Sequence, residues 1–172
     1  MKVILVQSYL GGAEPRIFPI GLACLKSSLP VDYDVMVYDT NTSENPFDDL
    51  AKIIKDFMPD VIGISLRNID STNKRKVVFY YGYLKDAIDV IKTCSNARII
   101  VGGSGFSIFA KEIMEDEPRI DYGVFLEGEV TFPKLLQNLD SPENVESLFY
   151  RKNGKVFSPV PGRQVDPNRI NL

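Results

Sequence analysis

The sequence predicts an α/β fold in which a parallel sheet lies between two layers of helices. Five short runs rich in Val and Ile alternate with segments of helical period, a pattern typical of parallel strands joined by crossover helices. The 172 residues are 44% hydrophobic and 25% charged, which suits one sizeable core. We therefore predict one flavodoxin-like (Rossmann-like) three-layer sandwich with a five-stranded parallel sheet of order 2-1-3-4-5.

The elements follow in order from these runs and from the residues that interrupt them. Strands are predicted at 2–7, 34–38, 61–65, 98–101 and 122–126. The first helix is predicted at 19–29, because Pro19 suits a first turn and Pro30 follows the last. The second begins at Asn45 as cap and stops before Pro59. The remaining helices are predicted at 83–94, 107–115 and 131–139.

The alternation stops after Asp140. Residues 148–150 and 155–157 flank Lys152-Asn153-Gly154, which suits a hairpin turn. The proline-containing tail reads as an extended linker. We therefore expect an α/β domain at 1–140, a hairpin extension at 141–157, and a linker at 158–172 towards a missing C-terminal domain.

The composition argues against several classes of partner and of catalytic site. A net charge of -3 argues against a nucleic-acid partner. Two isolated cysteines, no signal-peptide pattern and no apolar run of about 20 residues predict a cytoplasmic protein without a membrane partner. Histidine is absent, which excludes Ser-His and Cys-His pairs and His-ligated metals. We predict no catalytic residue and no protein metal ligand in this chain, so chemistry must come from a cofactor, a partner domain or carboxylates.

Ligands of such sheets bind beyond the carboxyl ends of the strands. The relevant loops are 8–16, 66–83, 102–106 and 127–130. The glycines of Gly102-Gly103-Ser104-Gly105 suit either close backbone approach to a ligand or the turn alone, and Glu129 suits either a ligand or the helix dipole. The run from Phe79 to Tyr83 suits either core packing or a lid, and our hypothesis is that its tyrosines face a partner domain. The chain lacks dinucleotide and phosphate-loop motifs, and Ser65 stands where a receiver domain needs Asp.

Several segments, in the correct order, resemble the cobalamin-binding N-terminal domain of radical S-adenosylmethionine enzymes. They are Val3-Ile4-Leu5-Val6-Gln7, Phe18-Pro19-Ile20-Gly21-Leu22-Ala23 with Leu25, Val61-Ile62-Gly63-Ile64-Ser65, Ile100-Val101-Gly102-Gly103, Glu127-Gly128-Glu129 with Thr131-Phe132, and Tyr150-Arg151-Lys152-Asn153-Gly154.

The resemblance implies cobalamin at the carboxyl edge. On that view Gly102 and Gly103 make room for the nucleotide tail and Ser65 faces its benzimidazole. The expected cofactor-binding residues end four strands: Gln7, Ser8, Tyr9, Ser65, Leu66, Arg67, Asn68, Gly102, Gly103, Ser104, Gly105, Glu127, Gly128 and Glu129.

The chain departs from related domains in two ways. It lacks the Asp-X-His-X-X-Gly histidine that ligates cobalt in methionine synthase and the mutases, and it has Arg67 where they place leucine. Radical members commonly lack that histidine, so we expect base-off cobalamin. The Cys-X3-Cys-X2-Cys signature that binds an iron-sulfur cluster is absent. The iron-sulfur cluster and S-adenosylmethionine would therefore belong to a radical domain of the same parent chain, and the reaction that we expect of that parent is methyl transfer. The alternatives are a flavodoxin-like enzyme that binds a flavin or nucleotide, and a docking domain that has lost its ligand.

Overall fold

The computed structural model describes residues 1–12, 17–71, 75 and 77–159. The predicted linker from residue 160 onwards and part of the loops 8–16 and 66–83 lie outside these residues. The strands are β1 (Lys2–Gln7), β2 (Asp34–Asp39), β3 (Val61–Ser65), β4 (Arg98–Gly102), β5 (Tyr122–Val124), β6 (Leu148–Lys152) and β7 (Lys155–Phe157). The helices are α1 (Ile20–Ser27), α2 (Pro46–Phe57), α3 (Tyr80–Cys94), α4 (Ser104–Ile108), α5 (Ala110–Asp116) and α6 (Gly128–Gln137).

All seven strands belong to one sheet of order β2-β1-β3-β4-β5-β6-β7. The first five strands are parallel and follow the predicted order. The C-terminal hairpin is also present, with Asn153 and Gly154 at φ +52° and +75° in its turn, as a two-residue hairpin turn requires. It extends the sheet, because β6 pairs antiparallel with β5.

The sheet has a core on each face. Successive residues of a strand point to opposite faces, and in β1 Val3 and Leu5 pack with side chains of α1 and α6, whereas Ile4 and Val6 pack with α2 and α3. All four are fully buried. This arrangement confirms the predicted three-layer sandwich.

Two predicted helices begin earlier in the structure. We predicted 83–94, but α3 begins at Tyr80, whose side chain is 1% exposed in the core. The reason is that the connection from β3 folds back on itself: Asp70 bridges Phe79, and the Tyr80 N–H donates to Ile69 O at 2.9 Å. Similarly α6 begins at Gly128, not at residue 131.

The predicted helix at 107–115 is two helices. The chain enters α4 directly from Gly103, which has φ +97°, and the helical path breaks at Phe109, where φ is -125° and ψ is 31°. The fifth strand ends at Val124, two residues before the predicted end. Leu126 has φ +63°, which is incompatible with extended backbone. No helix among the described residues is long and apolar enough to cross a bilayer.

Candidate functional site

An apolar cleft of about 570 Å³ opens at the carboxyl edge of the sheet. Its floor is formed by Gly63, Ile100 and Val124, and its two side walls by α1 and α6. The wall residues are Gly21, Leu22 and Leu25 on one side and Gly128, Glu129 and Phe132 on the other. Its size lies within the range of ligand pockets.

Small residues create this cleft. A side chain at Gly63 would come within 3.1 Å of both Leu5 and Phe132, so glycine lets the Phe132 ring lie against the sheet and leaves the floor open. Gly128 lies next to Leu25, where a Cβ would meet the Leu25 side chain at 3.5 Å. The two helices therefore approach each other without closing the cleft.

A second depression, of about 350 Å³, continues from the cleft mouth over the end of β1. We call it the rim groove. Gln7, Asn41 and Arg67 line it, and it shares Ser65, Gly103 and Ser104 with the cleft. The two depressions thus meet at the ends of β3 and β4, and the rim groove extends from there over the end of β1. It therefore reaches the point between β1 and β3 where the strand order reverses and ligands of such sheets bind.

The glycine turn after β4 packs against the loop after β3. A Cβ at Gly103 would lie 2.7 Å from Leu66 O, and one at Gly105 would lie 2.7 Å from the Asn68 carbonyl carbon. Backbone bonds join the same loops, because Gly105 N–H donates to Leu66 O and Arg67 O at 2.9 Å. Gly103 and Gly105 therefore serve the turn. Gly102 lines the cleft, and a Cβ there would lie 3.4 Å from Val124, an ordinary van der Waals contact.

The loop after β1 is held by residues that follow β2. Thr40 Oγ1 donates to Gln7 O at 2.7 Å, Asn41 Nδ2 donates to Ser8 O at 3.1 Å, and Asn41 Oδ1 accepts from the Leu10 N–H at 2.8 Å. These bonds satisfy backbone groups that have left the sheet ladder. The side chains of Thr40 and Asn41, which follow β2, therefore hold the edge of the rim groove in place.

Several polar groups at this edge have no partner within the described part of the chain. The Ser8 hydroxyl is buried and makes no hydrogen bond, although buried polar groups are normally paired. No hydrogen bond or ion pair with a described residue engages the side chains of Ser65, Arg67, Glu127 or Glu129. These four side chains line the depressions and are available to a ligand; the Ser8 hydroxyl is not, because it lines neither depression.

Apolar side chains surround the depressions. Ile17, Phe18, Ile20 and Ile108 line the two depressions and are between 51% and 74% exposed, and Phe79, in the connection after β3, is 67% exposed but lines neither depression. Exposed apolar residues clustered on one face mark a binding surface. The carboxyl edge of the sheet therefore has the character of a binding surface.

The structure brings together many of the predicted site residues. Those that line one or both depressions are Gln7, Ser65, Arg67, Gly102, Gly103, Ser104, Glu127, Gly128 and Glu129. Ser8, Tyr9, Leu66, Asn68 and Gly105 line neither depression. Leu66 is fully buried, and Tyr9 packs edge-on against Phe47 and Tyr83, with ring centroids 5.9 and 5.0 Å away.

The predicted site residues include Gly128 and Glu129 of the α6 wall, but sequence reasoning missed the α1 wall, Phe132 and Ser107. Gly21 and Leu22 belong to the segment Phe18-Pro19-Ile20-Gly21-Leu22-Ala23, one of those that carry the family resemblance. That resemblance was the one sequence feature that could have assigned them to the site. The lowered pKa values of the Asp116 and Glu117 carboxyls arise outside both depressions, from hydrogen bonds with Lys85 and Arg119 respectively. No group of acidic or cysteine side chains among the described residues is arranged to hold a metal ion.

Comparison with known proteins places these features in a family. Residues 7–136 match the family model of the B12 binding domain. The chain is 30% identical over 173 residues to an uncharacterized methyltransferase of Pyrococcus horikoshii, covering 94% of this chain and 35% of that protein. It is 32% identical over 150 residues to the cytidylyl-2-hydroxyethylphosphonate methyltransferase of Streptomyces wedmorensis, covering 84% and 26%. The chain thus spans about a quarter to a third of the length of these relatives.

Solved structures show the same fold. The radical S-adenosylmethionine methyltransferase TsrM from Kitasatospora setae, with cobalamin and a 4Fe-4S cluster bound, superposes with a TM-score of 0.81 at 21% identity, covering 99% of this chain and 30% of that one. The cobalamin-dependent radical enzyme OxsB, with aqua-cobalamin bound, gives 0.69 at 22% identity, covering 92% and 22%. The predicted resemblance is confirmed.

Proposed function

This chain belongs to the B12 binding domain family, and we propose that its carboxyl edge holds cobalamin for a catalytic domain of a larger protein. The nucleotide tail would enter the apolar cleft, and the corrin ring would cover the rim groove. The observation that carries this proposal is the cleft itself, since an apolar slot between two helices with a glycine floor suits a flat aromatic base. Its polar mouth suits the rest of the tail.

The donor set fits cobalamin. Gly102 and Ser65 would lie beside the tail, and Gln7 and Arg67, which line the rim groove, would serve the amides at the edge of the ring. The Arg67 side chain supports this assignment, because it lines the rim groove and makes no hydrogen bond or ion pair with a described residue, so its guanidinium can donate to a ligand amide. When bound, cobalamin supplies cobalt-centred methyl-transfer chemistry, and the protein's part is to bind and orient it.

We propose that the cofactor binds base-off and without a protein imidazole. A nucleotide tail bound in the cleft would not coordinate cobalt, and the chain has no histidine that could take its place. Methyl transfer is the reaction class favoured by the two methyltransferase relatives.

The proposed partner is a radical S-adenosylmethionine domain of the same parent protein, resting on the apolar side chains around the ring. Our sequence interpretation gave the tyrosines after residue 79 this role. Tyr80 is 1% exposed and therefore belongs to the core instead. Tyr81 donates to Asp116 at 2.7 Å, so Phe79 is the better aromatic candidate for the contact.

Reconstitution tests the proposal directly. The purified chain should be mixed with hydroxocobalamin, freed of excess ligand and examined in the visible range. We expect a retained corrinoid with a base-off spectrum. A base-on spectrum would contradict the tail assignment, and a flavin's yellow fluorescence in the protein as isolated would favour a flavin-binding enzyme. Binding of neither ligand would favour a docking domain.

Arg67→Ala should lower cobalamin affinity by about tenfold, the value of a hydrogen bond from a charged group. The thermal midpoint should stay unchanged, because this guanidinium makes no bond within the described chain. Titration followed in the visible spectrum measures the cobalamin affinity, and thermal unfolding measures the midpoint. Lys55→Ala, an exposed charge on α2, is the control, and equal affinity for the two variants would remove Arg67 from the site. Asn68→Ala should have a smaller effect, since Asn68 lines neither depression.

A further inference from the structure

One hydroxyl joins the two turns at the mouth of the apolar cleft. Ser107 Oγ, in α4, donates to Gly103 O at 3.0 Å and accepts from the Leu126 N–H at 3.0 Å. Gly103 begins the turn after β4, and Leu126 lies in the turn after β5. All three residues line the cleft. The Ser107 hydroxyl therefore fixes the spacing of the two turns.

The bond at Leu126 holds backbone that leucine seldom adopts. Leu126 has φ +63°, and the left-handed region disfavours side chains with a Cβ. On one side the Phe125 N–H donates to Ser147 O at 2.9 Å, and on the other Glu127 occupies the N-cap position of α6 without a hydrogen bond from its side chain. Among the described residues, Ser107 Oγ is the acceptor that the Leu126 N–H uses. Without this acceptor, the left-handed turn loses its own support.

We propose that Ser107 is a positioning residue that keeps the cleft mouth at the width that the nucleotide tail of the corrinoid requires. This inference rests on the proposed function. The Leu126 and Ile108 side chains, 38% and 71% exposed, form the apolar lips of the mouth. Leu126 lines the cleft alone, whereas Gln7, Asn41 and Arg67, which line the rim groove alone, have no bond to Ser107. Gly103 lines both depressions, but its carbonyl keeps the bond from the Ser107 backbone N–H at 2.9 Å when the hydroxyl is removed. Loss of the hydroxyl should therefore affect tail binding and spare the corrin ring.

Two corrinoids separate these contributions, because cobinamide has the corrin ring but lacks the nucleotide tail. For Ser107→Ala we expect a loss of about fivefold to tenfold in cobalamin affinity and a change within about twofold for cobinamide, as one net hydrogen bond predicts. Ser107→Thr retains the hydroxyl and should recover most of the cobalamin affinity. Unchanged cobalamin affinity in Ser107→Ala, or an equal loss for both corrinoids, would overturn the inference.

Ser95 offers a matched control. Its Oγ also donates to a carbonyl four residues earlier, Ile91 O at 3.2 Å, and accepts from a backbone N–H, that of Ala97 at 3.3 Å. It lies before β4, at the opposite edge of the sheet. Ser95→Ala therefore removes the same pair of bonds and should leave the affinities for both corrinoids unchanged. A loss of cobalamin affinity as large as that of Ser107→Ala would show a general effect on stability.

Amide hydrogen exchange in the cofactor-free chain tests the bond itself. Ser107→Ala should speed exchange of the Leu126 N–H by about fivefold to tenfold relative to the parent chain, and Ser95→Ala should not. An unchanged Leu126 rate would overturn the inference even if cobalamin binds. If the parent chain binds neither corrinoid while Leu126 responds as expected, the proposed function fails and the tail-positioning role fails with it, but the bond between the turns stands.

Discussion

Gly103 shows how one residue sets the geometry of the sheet edge. At φ +97° it turns the chain from β4 into α4, and a Cβ there would lie 2.7 Å from Leu66 O. The obstacle is backbone in a neighbouring loop, which cannot rotate away as a flexible side chain can. The sequence left open whether this glycine serves the turn or a ligand, and the contact with Leu66 favours the turn.

We expect Gly103→Val to lower the free energy of unfolding by about 2–4 kcal/mol, because the substitution adds both left-handed strain and a steric clash. Urea unfolding followed by circular dichroism measures the change. Gly82→Ala is the control: Gly82 lies in α3 with nothing within 4 Å of its Cβ position, so stability should rise by about 0.5–1 kcal/mol. Equal stability of Gly103→Val and the parent chain would show that the turn can relax.

At the scale of elements, the C-terminal hairpin covers the edge that β5 would otherwise leave open. A free strand edge presents unpaired backbone groups, and β6 pairs with all three residues of β5. Phe149 of β6 also packs edge-on against Phe106 and Phe125, with ring centroids 6.3 and 5.9 Å away. The hairpin thus supports β5 and the turn after it, which forms one lip of the cleft.

Phe149→Ala should destabilise the fold by about 3–5 kcal/mol, the usual result of truncating a buried aromatic residue. Phe149 is 7% exposed. Phe157→Ala, in β7, is the control: Phe157 is 42% exposed and stacks on Tyr150, so the loss should be below about 1.5 kcal/mol. Thermal unfolding of the two variants decides the matter, and equal midpoints would mean that the hairpin adds little to the core.

At the scale of the whole molecule, one charged cluster connects the layer formed by α3 and α5 to the sheet. Arg119, just before β5, bonds both Glu117 and Asp89 of α3. Glu117 is almost fully buried. The hydrogen bonds from Arg119 hold the pKa of the Glu117 carboxyl below its ordinary value of 4.5, against the opposing effect of burial.

This pairing predicts how stability depends on pH. Because the folded pKa of Glu117 is lowered, its contribution is complete above about pH 4.5 and is lost as the pH falls through the folded value. We expect the free energy of unfolding to fall from pH 5 to pH 3, and Glu117→Gln to make this fall less steep. Glu112→Gln, an exposed carboxyl of α5, is the control. Equal slopes for Glu117→Gln and the parent chain would contradict the assignment.

The sequence alone determined the five parallel strands, the first two helices and the C-terminal hairpin, apart from their exact ends. Runs of Val and Ile in β1, β3 and β4, prolines at 19, 46 and 59, and Asn153-Gly154 are local signals, since strand burial, helix ends and hairpin turns depend on neighbouring residues. The strand order followed from their succession, and with it the edge at which Ser65, Arg67, Gly102 and Glu127 converge.

Tertiary structure alone decided how that edge is shaped. The left-handed turn at Leu126, its bond to Ser107, the contact of Gly103 with Leu66, and the cleft between α1 and α6 all join residues far apart in the chain. The periodicity of hydrophobic residues does not predict such contacts, because each contact depends on how the packed layers meet and not on neighbouring residues in the sequence. For the same reason the core position of Tyr80 appeared only once the connection after β3 had folded back on α3.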